Sequence, residues 1–187
     1  MFQRILVPLD GSLRAERAIP VAARIASASH GSILLVRVID VLLDFSWQMA
    51  GVSPDLTGAL EVARANANAY LEEMAEVDAL RGLNVTTQAI EGRPADALLS
   101  VAQDMQADLI VMSSHGHTGL KRWVLGSVAQ VIERRSSIPV LILRDQLTFP
   151  HNFRLNREKK RSIERMSSRT TLKRLLSTFF SETVKRV

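Results

Sequence analysis

Residues 107–144, "ADLIVMSSHGHTGLKRWVLGSVAQVIERRSSIPVLILR", have the pattern from which the fold class follows. Its two apolar runs, 107–114 and 138–144, have the length and the continuous hydrophobicity of strands that are buried on both faces. Between them lie a glycine-containing loop and the segment 126–137, whose apolar residues recur at helical spacing. A strand, a crossover helix and a second strand of this kind predict a parallel βαβ unit.

The preceding residues repeat this alternation of strand and helix. Further strands are predicted at residues 3–9, 31–40 and 83–92, and further helices at 12–29, about 55–80, and 93–106, with an irregular loop at 41–54. Ser12 is a predicted N-cap, Pro20 predicts a kink or break in its helix, and Pro94 suits a first helical position. The fold class is therefore α/β, a doubly wound, Rossmann-like, five-stranded parallel sheet covered by helices on both faces.

The charge of the chain is concentrated in its last part. Residues 1–143 hold 12 Lys and Arg against 15 Asp and Glu, whereas residues 144–187 hold 12 against 4, a balance of +8. The basic character of the chain therefore does not indicate that the main domain binds nucleic acid. The absence of cysteine excludes disulfides, thiolate catalysis and cysteine metal sites. No signal peptide and no apolar run near the roughly 20 residues that span a bilayer is visible, so we predict a cytoplasmic protein.

The loop "SSHGHTGLKRWVLGS", residues 113–127, has features that suit an anion. It fails both the Walker A pattern GxxxxGK[ST] and the dinucleotide pattern GxGxxG. It nevertheless follows a strand, its glycines let a backbone approach phosphate oxygens, and a helix with free N–H groups follows it. Ser127 can cap that helix or donate its hydroxyl to a phosphate. A plain strand-to-helix connection is the alternative that local chemistry leaves open.

Ligands of such sheets bind beyond the carboxyl ends of the strands, near the point where the winding reverses. Three strand ends are candidates: residues 9–11, 38–40 and 113–119.

Several segments together resemble the universal stress protein family, the UspA-like domains. They are "ILVPLDGS" (5–12), "ILLVRVID" (33–40) and the long segment 91–143, in the order the family has them. The resemblance covers roughly residues 1–145 and leaves 146–187 as a separate basic tail. It implies the adenine nucleotide alpha hydrolase-like form of the doubly wound fold, a role in the stress response, and a homodimer formed through the last strand.

Nucleotide-binding members of this family look like G-x2-G-x9-G-[S/T] after the fourth strand. Here the segment is Ser113-x2-Gly116-x9-Gly126-Ser127, so the spacing matches and serine replaces the first glycine. The resemblance implies ATP, together with Mg²⁺, as the cofactor. It assigns residues as follows: Gly116, Gly126, Ser127 and Val128 around the phosphates, Ser113 at the closest backbone contact, Asp10 at the ribose hydroxyls, the Val38 backbone at the adenine edge, and Pro8 as pocket lining.

Two of these assignments have structural alternatives. Asp10 is equally suited to be a turn or N-cap residue before the first helix, because a short carboxylate accepts from nearby backbone N–H groups. Val38 is equally suited to core packing, in which case only its backbone would be functional. Asp10 and Asp40 are also candidates to hold a divalent ion with a nucleotide.

No catalytic or metal centre is predicted from the side chains. The two histidines of the loop lie two residues apart without a third ligand at a suggestive spacing. His117, Lys121 and Arg122 either supply positive charge near a triphosphate or form a solvated loop face. No Ser/His/Asp or paired-carboxylate arrangement stands out, so any ATP hydrolysis should be slow.

The tail is predicted to form a basic amphipathic helix. Its apolar residues fall at helical spacing among basic ones: Leu172, Leu175, Leu176, Phe179, Phe180 and Val184. It could pack on its own domain or on the dimer mate, or dock on a partner protein or an anionic membrane surface. Nucleic-acid binding is not expected, because no aromatic stacking pattern is present.

Three functions are open at this stage. The first is an ATP-binding regulatory protein of the stress response. The second is an interaction module of the same fold that binds no nucleotide, which the serine at position 113 and the added tail favour. The third is a true enzyme, a nucleotide hydrolase.

Overall fold

The computed structural model describes residues 2–40, 56–114 and 126–144. The elements, in chain order, are β1 (Arg4–Pro8), α1 (Leu13–Glu16), α2 (Ala18–Ser29), β2 (Ser32–Ile39), α3 (Leu56–Ala75), a 3-10 turn (Asp78–Leu80), β3 (Asn84–Glu91), α4 (Pro94–Asp104), β4 (Leu109–Ser113), α5 (Ser127–Arg135) and β5 (Val140–Leu143). All five predicted strands are confirmed. The predicted loop at 41–54, Gly116, His117 and the tail at 146–187 lie outside the described residues.

The five strands form one parallel sheet in the order β3-β2-β1-β4-β5. From β1 the chain proceeds to β2 and β3 on one side, and then returns to β4 and β5 on the other. The doubly wound fold is thereby confirmed, and the winding reverses between β1 and β4. The carboxyl ends of these two strands, at Pro8 and Ser113, are the place where ligands of such sheets bind.

The core explains why the central strands β1, β2 and β4 are nearly continuous apolar runs, whereas β3 is polar and has no buried residue. Helices cover both faces of the sheet, so side chains on either face of β1 are fully buried, Ile5 and Val7 on one face and Leu6 on the other. On the α4 and α5 side, Leu6 packs in one cluster with residues that include Ile110 and Ile132. This packing fixes α5 against the sheet and so fixes where its first turn lies.

The predicted helix at 12–29 is broken, but at Arg17 rather than at Pro20 itself. In a continuous helix the proline ring would clash with the carbonyl of Glu16, and it could not donate the backbone hydrogen bond to that carbonyl. The chain instead ends α1 at Glu16 and restarts with Ala18, which places Pro20 in the first turn of α2. The predicted N-cap is confirmed: the Ser12 hydroxyl accepts from the Ala15 N–H at 3.2 Å.

The long helix predicted to end near residue 80 ends earlier. α3 stops at Ala75, and Val77 adopts an extended conformation before the short 3-10 turn. Both Val77 and Leu80 are buried after this change of direction. None of the helices in the described ranges combines the length and the apolar character that a bilayer crossing requires.

Candidate functional site

The strand ends that meet at the reversal of the winding carry four of the predicted site residues. Pro8 ends β1, with Asp10 two residues beyond it, and Ser113 ends β4. Val38 lies near the end of β2, the other neighbour of β1. The Leu9 N–H donates to the Val36 carbonyl at 2.8 Å, which extends the contact between β1 and β2 past the last strand residue. The sheet therefore places the chain segments that carry these residues along one edge.

The turn after β1 is built around Asp10. Its Oδ1 accepts from the Ser12 N–H at 2.9 Å, and Gly11 between them has a φ of +83°, in the left-handed region that favours glycine. Asp10 thus plays the turn role that the sequence left open. A carboxylate offers about four acceptor positions, so this bond does not prevent the same side chain from accepting a sugar hydroxyl.

Two backbone hydrogen bonds connect the end of β4 to β5 and to the start of α5. The Ser114 N–H donates to the Leu143 carbonyl at 2.8 Å, and the Ser114 carbonyl accepts from the Gly126 N–H at 2.8 Å. Ser114 is buried, so this join is part of the protein interior. Gly126 therefore lies at the same sheet edge as Ser113. The sequence motif did not include Ser114. The two hydrogen bonds described here use its backbone groups, which every type of residue can supply, so the sequence carried no signal for it.

The first residues of α5 exclude one of the two roles considered for Ser127, that of the N-cap. Gly126 is the N-cap, with an extended backbone of φ −61° and ψ 153°, and its carbonyl accepts from the Gln130 N–H. Ser127 is the first helical residue and is exposed, so its assignment as a cap is wrong. Within the part of the chain that the structure describes, no side chain caps this helix end. The first N–H groups of α5 can therefore serve another acceptor.

Val38 and Val128 contribute side chains to the core. Both are half-buried and pack against the cluster that includes Leu6 and Ile132. For Val38 this is the core-packing alternative considered from the sequence. Only the backbone groups of these two valines are then suited to meet a ligand.

A cluster of polar residues lies behind the Asp10 turn, and the sequence reasoning missed it. The Arg37 guanidinium of β2 lies 4.9 Å from the centre of the Tyr70 ring of α3, a cation–π contact. The Tyr70 hydroxyl donates to Oε1 of Glu16 in α1 at 3.4 Å, and Glu16 is buried. One signal was available: Arg37 is the only charged residue inside the apolar run "ILLVRVI".

Tyr70 makes the cluster sensitive to alkaline pH. Burial raises the pKa of Tyr70 above its ordinary value, the Glu16 carboxylate raises it further, and Arg37 opposes the shift. Because the pKa of Tyr70 is higher in the folded than in the unfolded protein, the folded state keeps its full stability below the unfolded pKa of about 10. It loses stability as the pH rises above that value. We expect the free energy of unfolding to fall above about pH 10, by at most about 1.4 kcal/mol per pH unit from this group.

The measurement is urea unfolding of the wild-type protein and Tyr70→Phe over this pH range. Tyr70 is the single tyrosine, so the absorbance of tyrosinate reports its ionisation directly. The phenylalanine variant should lose this part of the pH dependence. A tyrosinate signal that develops near pH 10 in the folded wild-type protein would contradict the expectation.

Two further features bear on where a site could lie. Across residues 2–40, 56–114 and 126–144, no group of three His, Asp or Glu side chains is arranged to hold a metal ion. A groove of about 440 Å³ lies between α4 and the connection from α5 to β5, lined by residues that include Gln103, Gln106 and Ser136. This groove is at the amino ends of β4 and β5, the end of the sheet opposite Asp10.

Comparisons with known proteins identify relatives of this chain. The model of the Universal stress protein family matches residues 1–144. A universal stress protein of Thermus aquaticus is 33% identical over 145 residues, which cover 77% of this chain and 100% of the relative. Universal stress protein MJ0531 of Methanocaldococcus jannaschii is 28% identical over 150 residues, covering 77% of this chain and 83% of the relative.

Two solved structures are also similar. The structure of protein MJ0577 from Methanocaldococcus jannaschii matches with a TM-score of 0.68 and 27% identity, and the match covers 79% of this chain and 99% of that one. A universal stress protein in complex with cAMP matches with a TM-score of 0.57 and 26% identity, over 76% of this chain and 97% of that one.

Proposed function

The chain belongs to the universal stress protein family, and from this premise we propose that it is a regulatory protein of the stress response that binds ATP with Mg²⁺. The nucleotide lies at the carboxyl edge of the sheet, where the winding reverses between β1 and β4. A related protein solved with cAMP supports an adenine nucleotide as the class of ligand. The start of α5, which no side chain of the described residues caps, supports a phosphate group at this edge of the sheet.

One observation carries the proposal. The hydrogen bond from the Gly126 N–H to the Ser114 carbonyl brings the first turn of α5 to the end of β4, next to the strand that ends before Asp10. An anion-binding helix start and a carboxylate suited to sugar hydroxyls thereby share one sheet edge. A nucleotide needs both, because its phosphates are anionic and its ribose presents hydroxyl donors.

The proposed contacts follow the order of the ligand. The backbone of Val38 meets the adenine and Pro8 lines the pocket, while Asp10 accepts from the ribose hydroxyls. The phosphates are held by the backbone around Ser113, Gly116, Gly126, Ser127 and Val128. The Ser127 hydroxyl is a further donor, and His117 supplies positive charge. The protein acts through its bound state rather than through turnover, since no arrangement that activates water was found in its sequence.

Titration of the full-length chain with ATP and Mg²⁺ tests this function. Trp47 and Trp123 are the two tryptophans, so Trp47→Phe leaves one indole within the loop between Ser113 and Gly126 as a fluorescence reporter. We expect a saturable change in Trp123 emission and a matching heat of binding by calorimetry, with adenine nucleotide found in the purified protein. The absence of bound nucleotide together with no heat at millimolar ATP would exclude the proposal.

Replacing Ser113 by glycine is expected to increase ATP affinity by about three- to tenfold. Serine adds a Cβ and a hydroxyl at the end of β4, where glycine would let the backbone come closer to a phosphate. Ser137→Gly, at the opposite end of the sheet, is the matched control and should leave the affinity unchanged. An affinity of Ser113→Gly equal to that of the wild type would show that serine does not limit the approach.

A homodimer through β5 is proposed as the assembled form. β5 forms an edge of the described sheet, and Leu141 on it is an apolar side chain that is 37% exposed. An edge strand with an apolar side chain is a natural pairing surface for a second copy. Light scattering of the full-length protein tests the assembly state.

A second candidate function is an interaction module that binds no nucleotide. Two observations favour it: the serine at position 113 and the +8 balance of residues 144–187. On this hypothesis ATP gives no heat, and the full-length chain sediments with anionic vesicles in a salt-dependent way. The ATP titration and the vesicle assay therefore separate the two candidates.

A further inference from the structure

The turn that carries Asp10 is supported from behind by a guanidinium group. A Cβ added to Gly11 would lie 3.5 Å from Nη2 of Arg37, so the planar end of Arg37 is in van der Waals range of this turn. On its own side, the turn is closed by the bond from the Ser12 N–H to Asp10. Arg37 is therefore the side chain on β2 against which the turn after β1 rests.

Arg37 is itself held in place by a neighbouring helix. The Tyr70 ring of α3 lies against its guanidinium at 4.9 Å, and the Tyr70 hydroxyl is bonded to the buried Glu16 of α1. The guanidinium thus lies between an aromatic face and a glycine. Arginine suits this position better than lysine, because a planar guanidinium stacks on a ring and an ammonium does not.

The charges of the cluster are also matched. Arg37 is half-buried, and a cation removed from water requires nearby anions. Asp10 and Glu16 both act on the ionisation of Tyr70, as does Arg37 with the opposite sign, so the two carboxylates and the guanidinium share one neighbourhood. Loss of the guanidinium would leave the two negative charges without this compensation and would release the turn.

We propose that Arg37 is a positioning residue for ribose recognition: clamped between Tyr70 and Gly11, it holds the Asp10 turn in the conformation that presents the carboxylate to the sugar hydroxyls. This inference rests on the proposed nucleotide-binding function. It concerns one part of the ligand, the sugar, and leaves the phosphate contacts at α5 unaffected. That separation makes a positioning role distinguishable from a general loss of structure.

The test is the affinity of the full-length chain for ATP and for 2′-deoxy-ATP, measured by calorimetry. Arg37→Met keeps the length of the side chain and removes its charge. We expect it to weaken ATP binding by roughly tenfold, about one charge-assisted hydrogen bond, and to change 2′-deoxy-ATP binding much less. The preference for the ribonucleotide should therefore collapse, as it should in Asp10→Asn, and the double variant should be no weaker than Asp10→Asn alone.

Two further variants complete the design. Arg135→Met is the matched control, because it removes a guanidinium that is paired with Asp96 away from the turn; the preference between the two sugars should stay as in the wild type. Arg37→Lys keeps the positive charge without the planar group, and should retain a folded protein with part of the preference. If Arg37→Met does not fold, a reduced sugar preference in Arg37→Lys supports the positioning role, and an unchanged preference overturns it.

The outcomes separate this inference from the function on which it rests. A wild-type protein that binds neither nucleotide overturns the proposed function and the inference together. If the wild-type protein binds ATP, two results for the Arg37 variants overturn the positioning role alone. The variants either keep the preference for the ribonucleotide or lose affinity for ATP and 2′-deoxy-ATP equally.

Discussion

Gly126→Asp is expected to reduce ATP affinity by roughly a hundredfold or more while the protein stays folded, because a carboxylate at the start of α5 repels the phosphates it should receive. The carboxylate would also accept from the first N–H groups of α5, which no side chain in the described part of the chain caps. Those donors would then be unavailable to a phosphate. Both effects act against the nucleotide.

The same substitution should not harm the fold. Gly126 has an extended backbone, φ −61° and ψ 153°, which any residue adopts, and aspartate is among the best N-cap residues. We expect the thermal midpoint of the variant to equal or slightly exceed that of the wild type. Opposite effects on stability and on affinity would distinguish a lost binding site from a damaged protein.

Gly126→Asn is the control that isolates the charge. Asparagine has the shape of aspartate and caps a helix equally well, but it carries no negative charge. We expect its ATP affinity to fall by about tenfold or less, since it competes for the same N–H groups without repelling the phosphates. If aspartate and asparagine reduced the affinity equally, the electrostatic account of this site would be wrong.

Ile132→Ala is expected to cost about 2–5 kcal/mol of unfolding free energy. Ile132 is fully buried and packs α5 on the sheet against a cluster that includes Leu6 and Leu98. Truncation to alanine removes apolar contacts and leaves a cavity that the surrounding strands fill only in part. Urea unfolding should show a lower midpoint with an unchanged slope.

Val62→Ala is the control for this loss, because Val62 lies on α3 with 61% of its surface exposed. Its unfolding free energy should stay within about 0.5 kcal/mol of the wild type. ATP at about a hundred times its dissociation constant should return roughly 2.7 kcal/mol to Ile132→Ala, since a ligand stabilises the folded state it binds. If the unfolding curve of Ile132→Ala coincided with that of the wild type, α5 would not be anchored by this residue.

The sheet could be predicted from the sequence because burial on both faces leaves a simple pattern. The central strands β1, β2 and β4 are nearly continuous apolar runs, and parallel connections require helices between strands. The details at helix ends could not be predicted as well. Pro20 correctly indicated an interruption, but where the chain breaks depends on the carbonyl that the proline ring would strike, and that lies one turn earlier, at Glu16.

Some features of the candidate site could be predicted from the sequence, and others could not. The apolar pattern placed Ser113, Gly126 and Asp10 at strand or helix ends, and the family resemblance assigned their roles. The order of the strands brings those ends to one edge of the sheet. The pairing of Arg37 with Tyr70 depends on how α3 lies across β2, and no local pattern encodes that contact. Sequence could flag Arg37 as out of place in a buried strand without showing what lies opposite it.

The hydrogen bond between Gly126 and Ser114 has a consequence for how such a protein can change. Because the two ends of the segment 115–125 are already joined by a backbone bond, its closure does not depend on the residues within it. Substitutions and insertions there are therefore expected to preserve the register of β4 with β5 and the anchoring of α5. The tolerance of the sheet to changes in this segment is thus separate from the demands that a ligand would place on Gly116 and His117.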